Sequence, residues 1–169
     1  MPDATGLELI AQEIRQRHPE AILDTVFFRE EATIEIAPAD ARDVLIALRE
    51  QGYGFLASLH GVDYYPDEPR LSVHWQLLDM TTVDRICVKT RMPVEEAHVA
   101  SVVDLWPGAN HPEREVYDMF GVVFDGHPDM RRILMPEDYE GHPQRRDFPV
   151  GGEPVIFTYN EDKIPGWTR

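Results

Sequence analysis

Apolar residues recur along this chain with two different periods, and each change of period marks an element. Leu7, Ile10, Ala11 and Ile14 share one face of a predicted helix. Thr5-Gly6-Leu7-Glu8 has capping-box spacing at its start, with the Thr5 hydroxyl placed to accept from the Glu8 amide, and Pro19 blocks continuation beyond His18. Two short strands are predicted over 22–28 and 32–37; in the second, Ile34 and Ile36 oppose Thr33 and Glu35. A second helix starting near Pro38 carries Ala41, Val44, Leu45 and Leu48 and is capped at Gly52. A strand over 55–65 follows, weakened by Gly61. The clearest alternation sets Leu71, Val73, Trp75 and Leu77 against Ser72, His74 and Gln76. A connection around 79–83 returns into a pairing strand with Ile86, Val88 and Thr90. A third helix is predicted from Pro93, carrying Val99, Val102, Val103 and Trp106 up to Pro107-Gly108.

Helices flanking a largely antiparallel run of strands imply an α+β fold over residues 1–110: a two-layer sandwich with the helices on one sheet face. A short helix is predicted within 111–123. Pro112 suits its first turn and Asn110 or His111 its cap, while Glu113 and Glu115 favour its N-terminus. Val116, Met119 and Phe120 face the domain, and Gly121 ends the helix. Arg114 and Asp118 fall together on the opposite face, where an exposed pair contributes about 0.3–0.5 kcal/mol. Read from these residues alone, Glu113-Arg114-Glu115 is a solvated helix start.

Residues 124–169 change character. Pro128, Pro136, Pro143, Pro149, Pro154 and Pro165 alternate with glycines, and no period is visible. Yet Ile133, Leu134, Met135, Tyr139, Phe148, Phe157, Tyr159 and Trp167 are the residues that disordered tails lack. The expectation is a long extended strap that lies on another protein through aromatic and arginine anchors, with Arg131, Arg132, Arg145 and Arg146 facing carboxylates or carbonyls there.

Charge and composition narrow the function. The 169 residues suit one domain plus an appendage, and 43% hydrophobic content supports a core. A net charge of −15, spread along the chain, repels nucleic-acid phosphates and anionic lipid headgroups. No signal peptide and no apolar run of about 18 residues is visible, so membrane association is expected only through a partner. Cys87 is the only cysteine, which excludes an internal disulfide, a four-cysteine zinc site and a self-contained iron–sulfur cluster. Cys87 sits out of phase with Ile86 and Val88 and reads as an inert thiol.

No P-loop and no HExxH occurs. Gly52-Tyr53-Gly54-Phe55-Leu56-Ala57 has relaxed dinucleotide spacing but leaves a helix and enters a strand, the reverse of what that mechanism needs. His-Pro pairs at His111, His127 and His142, with Asp129 and Asp138 nearby, raise a metal-site alternative, but their spacing matches no ligand motif. Each imidazole serves equally as a turn residue, His127 in its Gly126-His127-Pro128 turn above all. No catalytic, cofactor-binding or metal residue is assigned on this chain.

One long string carries a family resemblance. Glu113-Arg114-Glu115, Asp118-Met119-Phe120, His127, Arg131 and Ile133-Leu134 occur in this order and spacing, followed by 135–143 (MPEDYEGHP) and 145–149 (RRDFP). The string resembles the signature of the 30-kilodalton or C subunit of respiratory complex I, the NADH:quinone oxidoreductase. The resemblance implies a peripheral-arm scaffold without catalysis or a cofactor of its own, with FMN, iron–sulfur clusters and quinone held by partner subunits. It implies packing on the large D subunit, which forms the quinone cavity with the B subunit, and contact with the arm's iron–sulfur subunits. It places the chain on the cytoplasmic face of the bacterial inner membrane, or the matrix side in a mitochondrion. The family residues it singles out are Glu113, Arg114, Glu115, Asp118, His127, Arg131, Arg132, Tyr139, His142, Arg145, Arg146 and Phe148. Relatives in ferredoxin-linked or hydrogenase-type complexes, and a binding module for another partner, remain as alternatives.

Overall fold

The computed structural model describes residues 3–149. Helix α1 (Ala4–Arg17) buries Leu7, Ala11 and Ile14, as its period demands. Its cap is Asp3 and not Thr5: the Asp3 carboxylate accepts from the Gly6 amide at 2.7 Å. A charged acceptor gains from the helix dipole as well as from the hydrogen bond, so it displaces the hydroxyl two residues later.

Strands β1 (Ile22–Phe28) and β2 (Glu31–Ile36) form a hairpin. A turn of 3-10 helix over Pro38–Asp40 leads into α2 (Ala41–Glu50), which buries Ala41, Val44, Leu45 and Leu48. Strands β3 (Phe55–Asp63), β4 (Leu71–Leu78) and β5 (Arg85–Met92) complete a five-stranded sheet in the order β1-β2-β5-β4-β3. Only β2 and β5 pair in parallel within it, so the sheet is mostly antiparallel as expected.

Register decides which side chains meet. Ile34, Val88, Trp75 and Leu59 stand in one row across four strands, and the first three are wholly shielded from solvent. Leu7, Ile14, Val44, Leu45 and Leu48 from the helices join them in a single core. The opposite face carries Thr33, Cys87, Gln76 and Ser58 in one row and Glu35, Lys89, His74 and His60 in the next. Burial pushes the Cys87 thiol up to about 11, so it stays protonated and unreactive near neutral pH.

The predicted third helix from Pro93 does not form. A single 3-10 turn over Val94–Glu96 is followed by a short strand, β6 (His98–Ala100), with Val99 buried. The backbone just beyond it is claimed from outside the segment. The Val102 amide donates to the Glu113 carboxylate at 2.8 Å, and Arg42 donates to the Ser101 carbonyl at 2.7 Å. Those bonds hold the chain out of the helix that the spacing of Val99, Val102 and Trp106 suggested.

Helix α3 (Asn110–Phe120) then packs against β3, and β7 (Val123–Asp125) pairs in parallel with β6. Gly61 is the contact point: a Cβ there would lie 2.6 Å from the Phe120 ring. The residue that weakens the strand pattern is thus the one that admits α3. No helix among the described residues is long and apolar enough to cross a membrane.

Candidate functional site

Beyond Asp125 the described chain contains neither helix nor strand, yet it is held at many points. Those points are side chains of α3 and of the β3–β4 connection, together with charged residues of the strap itself.

Asp118 is the centre. It is wholly buried on α3. Its Oδ2 accepts from three successive amides, those of Ile133 (3.0 Å), Leu134 (2.7 Å) and Met135 (2.9 Å). Its Oδ1 takes Arg132 Nη1 at 2.6 Å. Burial opposes the charge, but the three amides and the guanidinium outweigh it and hold the carboxyl below the usual carboxylate range. Arg132 also reaches the Gly141 carbonyl at 2.9 Å, and His142 donates through Nδ1 to the Asp118 carbonyl at 3.0 Å. One aspartate therefore ties down two separate turns of the strap.

Arg114 does not pair with Asp118. Its Nε and Nη2 donate to the carbonyls of Arg131 and Arg132, each at 3.1 Å. Nor is Glu113 a solvated helix start: it is fully buried, accepting from Ser101 Oγ at 2.7 Å as well as from Val102. Burial pushes its carboxyl up to about 7 against those two bonds. Of the Glu-Arg-Glu triplet only Glu115 is exposed. Asp118 reads as outward on a helical wheel drawn against the sheet alone; the strap is what covers it.

A second cluster fixes the strap's far end. Arg70, buried at 6% exposure, forks onto Asp63 (2.6 and 3.0 Å) and onto Asp147 (2.7 and 2.8 Å). The Arg146 amide donates to Asp63 at 2.8 Å and its guanidinium to the Tyr65 carbonyl at 3.2 Å. Burial works against the Asp63 charge, yet Arg70 and the amides of Arg146 and Tyr65 bring its carboxyl down to about 2. Arg145 donates from Nε to the Phe120 carbonyl at 2.6 Å, capping α3, where Gly121 has φ +79°. A Cβ on Gly121 would lie 2.6 Å from the His142 ring, so a left-handed glycine is required on both counts.

The remaining string residues have local work. His127 donates from Nε2 to the Asn110 carbonyl at 3.2 Å and accepts the Asp129 amide at Nδ1, as a turn imidazole. Tyr139 and Phe148 stack with centroids 6.2 Å apart. Arg131 is exposed, and its guanidinium pairs with exposed Asp129. So Arg132, Arg145 and Arg146, expected to face a partner, bond within the chain, and the apolar residues turned outward are Ile133 (38% exposed) and Leu134 (59%). Phe157, Tyr159 and Trp167, expected as further anchors, lie outside the described residues. Asp63, Arg70 and Ser101 carry no mark in the sequence. Only Asp147, inside the 145–149 string, offers a signal.

Among the described residues no group of three or more His, Cys, Asp or Glu is arranged to hold a metal ion. With one buried thiol, the donors on this chain do not fit an iron–sulfur cluster.

Fold and site together define a strap-bearing α+β domain, whose buried carboxylates fasten an irregular segment and turn its apolar residues outward. The chain belongs to the family described as the respiratory-chain NADH dehydrogenase, 30 Kd subunit, which matches residues 34–154. It is 45% identical over 158 residues to the C subunit of NADH-quinone oxidoreductase from Roseiflexus sp. (strain RS-1), covering 92% of this chain and 91% of the relative. It is 44% identical over 130 residues to NADH-quinone oxidoreductase subunit 5 of Thermus thermophilus, covering 72% and 63%. Among solved structures, the trypsin-resistant fragment (1-134) of Nqo5 superposes with a TM-score of 0.62 at 31% identity, over 73% of this chain and 98% of that one. A chain of the membrane-bound sulfane sulfur reductase, an archaeal respiratory membrane complex, gives 0.69 at 27%, over 92% and 89%.

Proposed function

We propose that this chain is a scaffold subunit of the peripheral arm of a proton-pumping NADH:quinone oxidoreductase, fastening the quinone-reducing module. It acts as an enzyme only within that complex. FMN, the iron–sulfur clusters and quinone belong to partner subunits, and the chain reaches the cytoplasmic face of the membrane through them. Its partner-facing part is the strap, set against the large quinone-cavity subunit and the iron–sulfur subunits of the arm.

The observation that carries this reading is the Asp118 clasp. One carboxylate takes three consecutive amides, so the backbone of Ile133 and Leu134 is fixed while their side chains stay exposed. A charged group buried to immobilise two exposed apolar residues serves a surface that another protein covers.

A second reading has its own support. Similarity to a chain of the sulfane sulfur reductase over 92% of this chain fits the same scaffold in a complex with a different electron route. Affinity isolation of the tagged chain from its native cell in mild detergent, with mass spectrometry, tests both. Co-purification of NADH-binding, iron–sulfur and quinone-cavity subunits is the expected result. A set lacking the NADH-binding subunits supports the second reading, and recovery of the chain alone overturns both.

A further inference from the structure

Among the described residues, the largest run of uncovered apolar side chains lies away from the strap. Strand β1 is one edge of the sheet, and Leu23, Val26, Phe27 and Phe28 on it are 60%, 40%, 40% and 64% exposed. They fall on both faces. Phe27 stands opposite buried Ala32 on the core side, whereas Val26 and Phe28 stand opposite Thr33 and Glu31 on the other. The strand is therefore apolar above and below a backbone whose outer row of N–H and C=O groups has no strand neighbour among the described residues.

Soluble proteins guard such edges with lysine, proline or inward charges. Here the guards are a bulge between Ile22 and Asp24, and Asp24 itself; residues 25–28 carry none. The turn that follows keeps the hairpin tight, with Arg29 and Glu30 both left-handed at φ 50° and 66°, a geometry in which Asn and Gly are usual. Strained non-glycine residues are retained where the surroundings need the shape they impose. The charges rimming the edge are mostly acidic: Asp24, Glu30 and Glu31 are exposed, as is Glu8 on the adjoining helix, while the Arg29 cation is folded over the Phe28 ring at 5.2 Å. A second copy of the chain would bring the same carboxylates and another −15 charge to the contact, which disfavours self-pairing.

We infer that the β1 edge receives an extended segment of another subunit of the complex, apolar with interspersed Lys or Arg, which adds to the sheet as a sixth strand. Main-chain pairing supplies the adhesion, the surfaces beside Val26, Phe27 and Phe28 select its apolar residues, and the acidic rim selects its cations. The inference rests on the subunit reading above, but uses a surface separate from the strap.

Hydrogen exchange of residues 22–28, compared between the full-length chain alone and the complex purified from its native cell, tests it without any variant. The expected result is at least about 100-fold slower exchange in the complex for the outward amides. Val26→Lys and Phe28→Lys should leave the circular dichroism of the isolated chain unchanged and lower recovery of the complex about tenfold, with Phe28→Leu restoring it. Unchanged exchange at 22–28 in an intact complex overturns the inference and leaves the subunit reading standing. Protection already present in the isolated chain, with doubled mass in sedimentation, overturns it in favour of a second copy. Recovery of the wild-type chain without other subunits overturns both.

Discussion

The sheet and the strap of this protein are stabilised by opposite means. The sheet holds together through apolar area spread over many residues, with Trp75, Ile34, Val88 and Leu45 all at 0% exposure. The strap between Gly126 and Pro149 has almost no apolar interior, and is fixed by a few charged groups that each satisfy several backbone atoms. A region of the first kind loses stability in step with the apolar volume a substitution removes. One of the second kind depends on single atoms: loss of one carboxylate strands three amides together and takes the ion pair from Arg132.

The comparison makes its sharpest prediction where the two costs are alike. Trp75→Ala should destabilise by roughly 3–5 kcal/mol through the cavity it leaves, and Asp118→Ala by a similar amount through the charges and amides it orphans. Urea unfolding measures both. The difference lies in where the damage shows: hydrogen exchange should rise throughout β3–β5 in the first, and only over 131–144 in the second. Equal spread in both variants would erase the distinction between the regions.

Next in size is a pH effect at Glu113. Its carboxyl sits at about 7 in the folded chain, above the ordinary carboxylate value, so between those two values the folded state holds a proton that the unfolded state has lost. The contribution is full below about pH 4.5 and disappears as pH rises towards 7, with a range of up to roughly 3 kcal/mol. Glu113→Gln, which keeps an acceptor for one of its two donors, should flatten that slope in unfolding curves taken across pH 4–8. Asp63 works the other way: its contribution is present above the ordinary aspartate value and is lost as pH falls through about 2. Arg70→Lys should cost about 1–3 kcal/mol in the same urea experiment, because an ammonium cannot fork onto both Asp63 and Asp147. The smallest effect is expected at the exposed Arg131–Asp129 pair: Arg131→Ala should leave the melting temperature where it is. A drop in complex recovery with that variant would mark Arg131 as a partner contact.

The two regions are also unequally legible in the sequence. Alternation finds β4 and β5, and spacing finds the buried stripes of α1 and α2, because a sheet–helix core imposes its period on every residue it buries. Strand β6 is hidden because Val99, Val102 and Trp106 have helical spacing, while Glu113, the acceptor that draws the Val102 amide away, lies eleven residues further on. The string from Glu113 to Pro149 is legible as a family resemblance but not as geometry. Nothing local tells a buried Asp118 from an exposed one, and Arg70, the hub of the second cluster, sits 77 residues from Asp147.

That last separation bears on how the chain comes to be made. Asp63 and Arg70 are translated long before Asp147, so the nascent domain holds an arginine fork with one prong engaged on Asp63 and the other waiting. At about 5–20 residues per second the interval is several seconds. Closure comes only when the strap has been translated through Asp147, and a product cut short before that point keeps the Asp63 prong alone. The fork thus gives a finished chain a stability that one interrupted before Asp147 lacks.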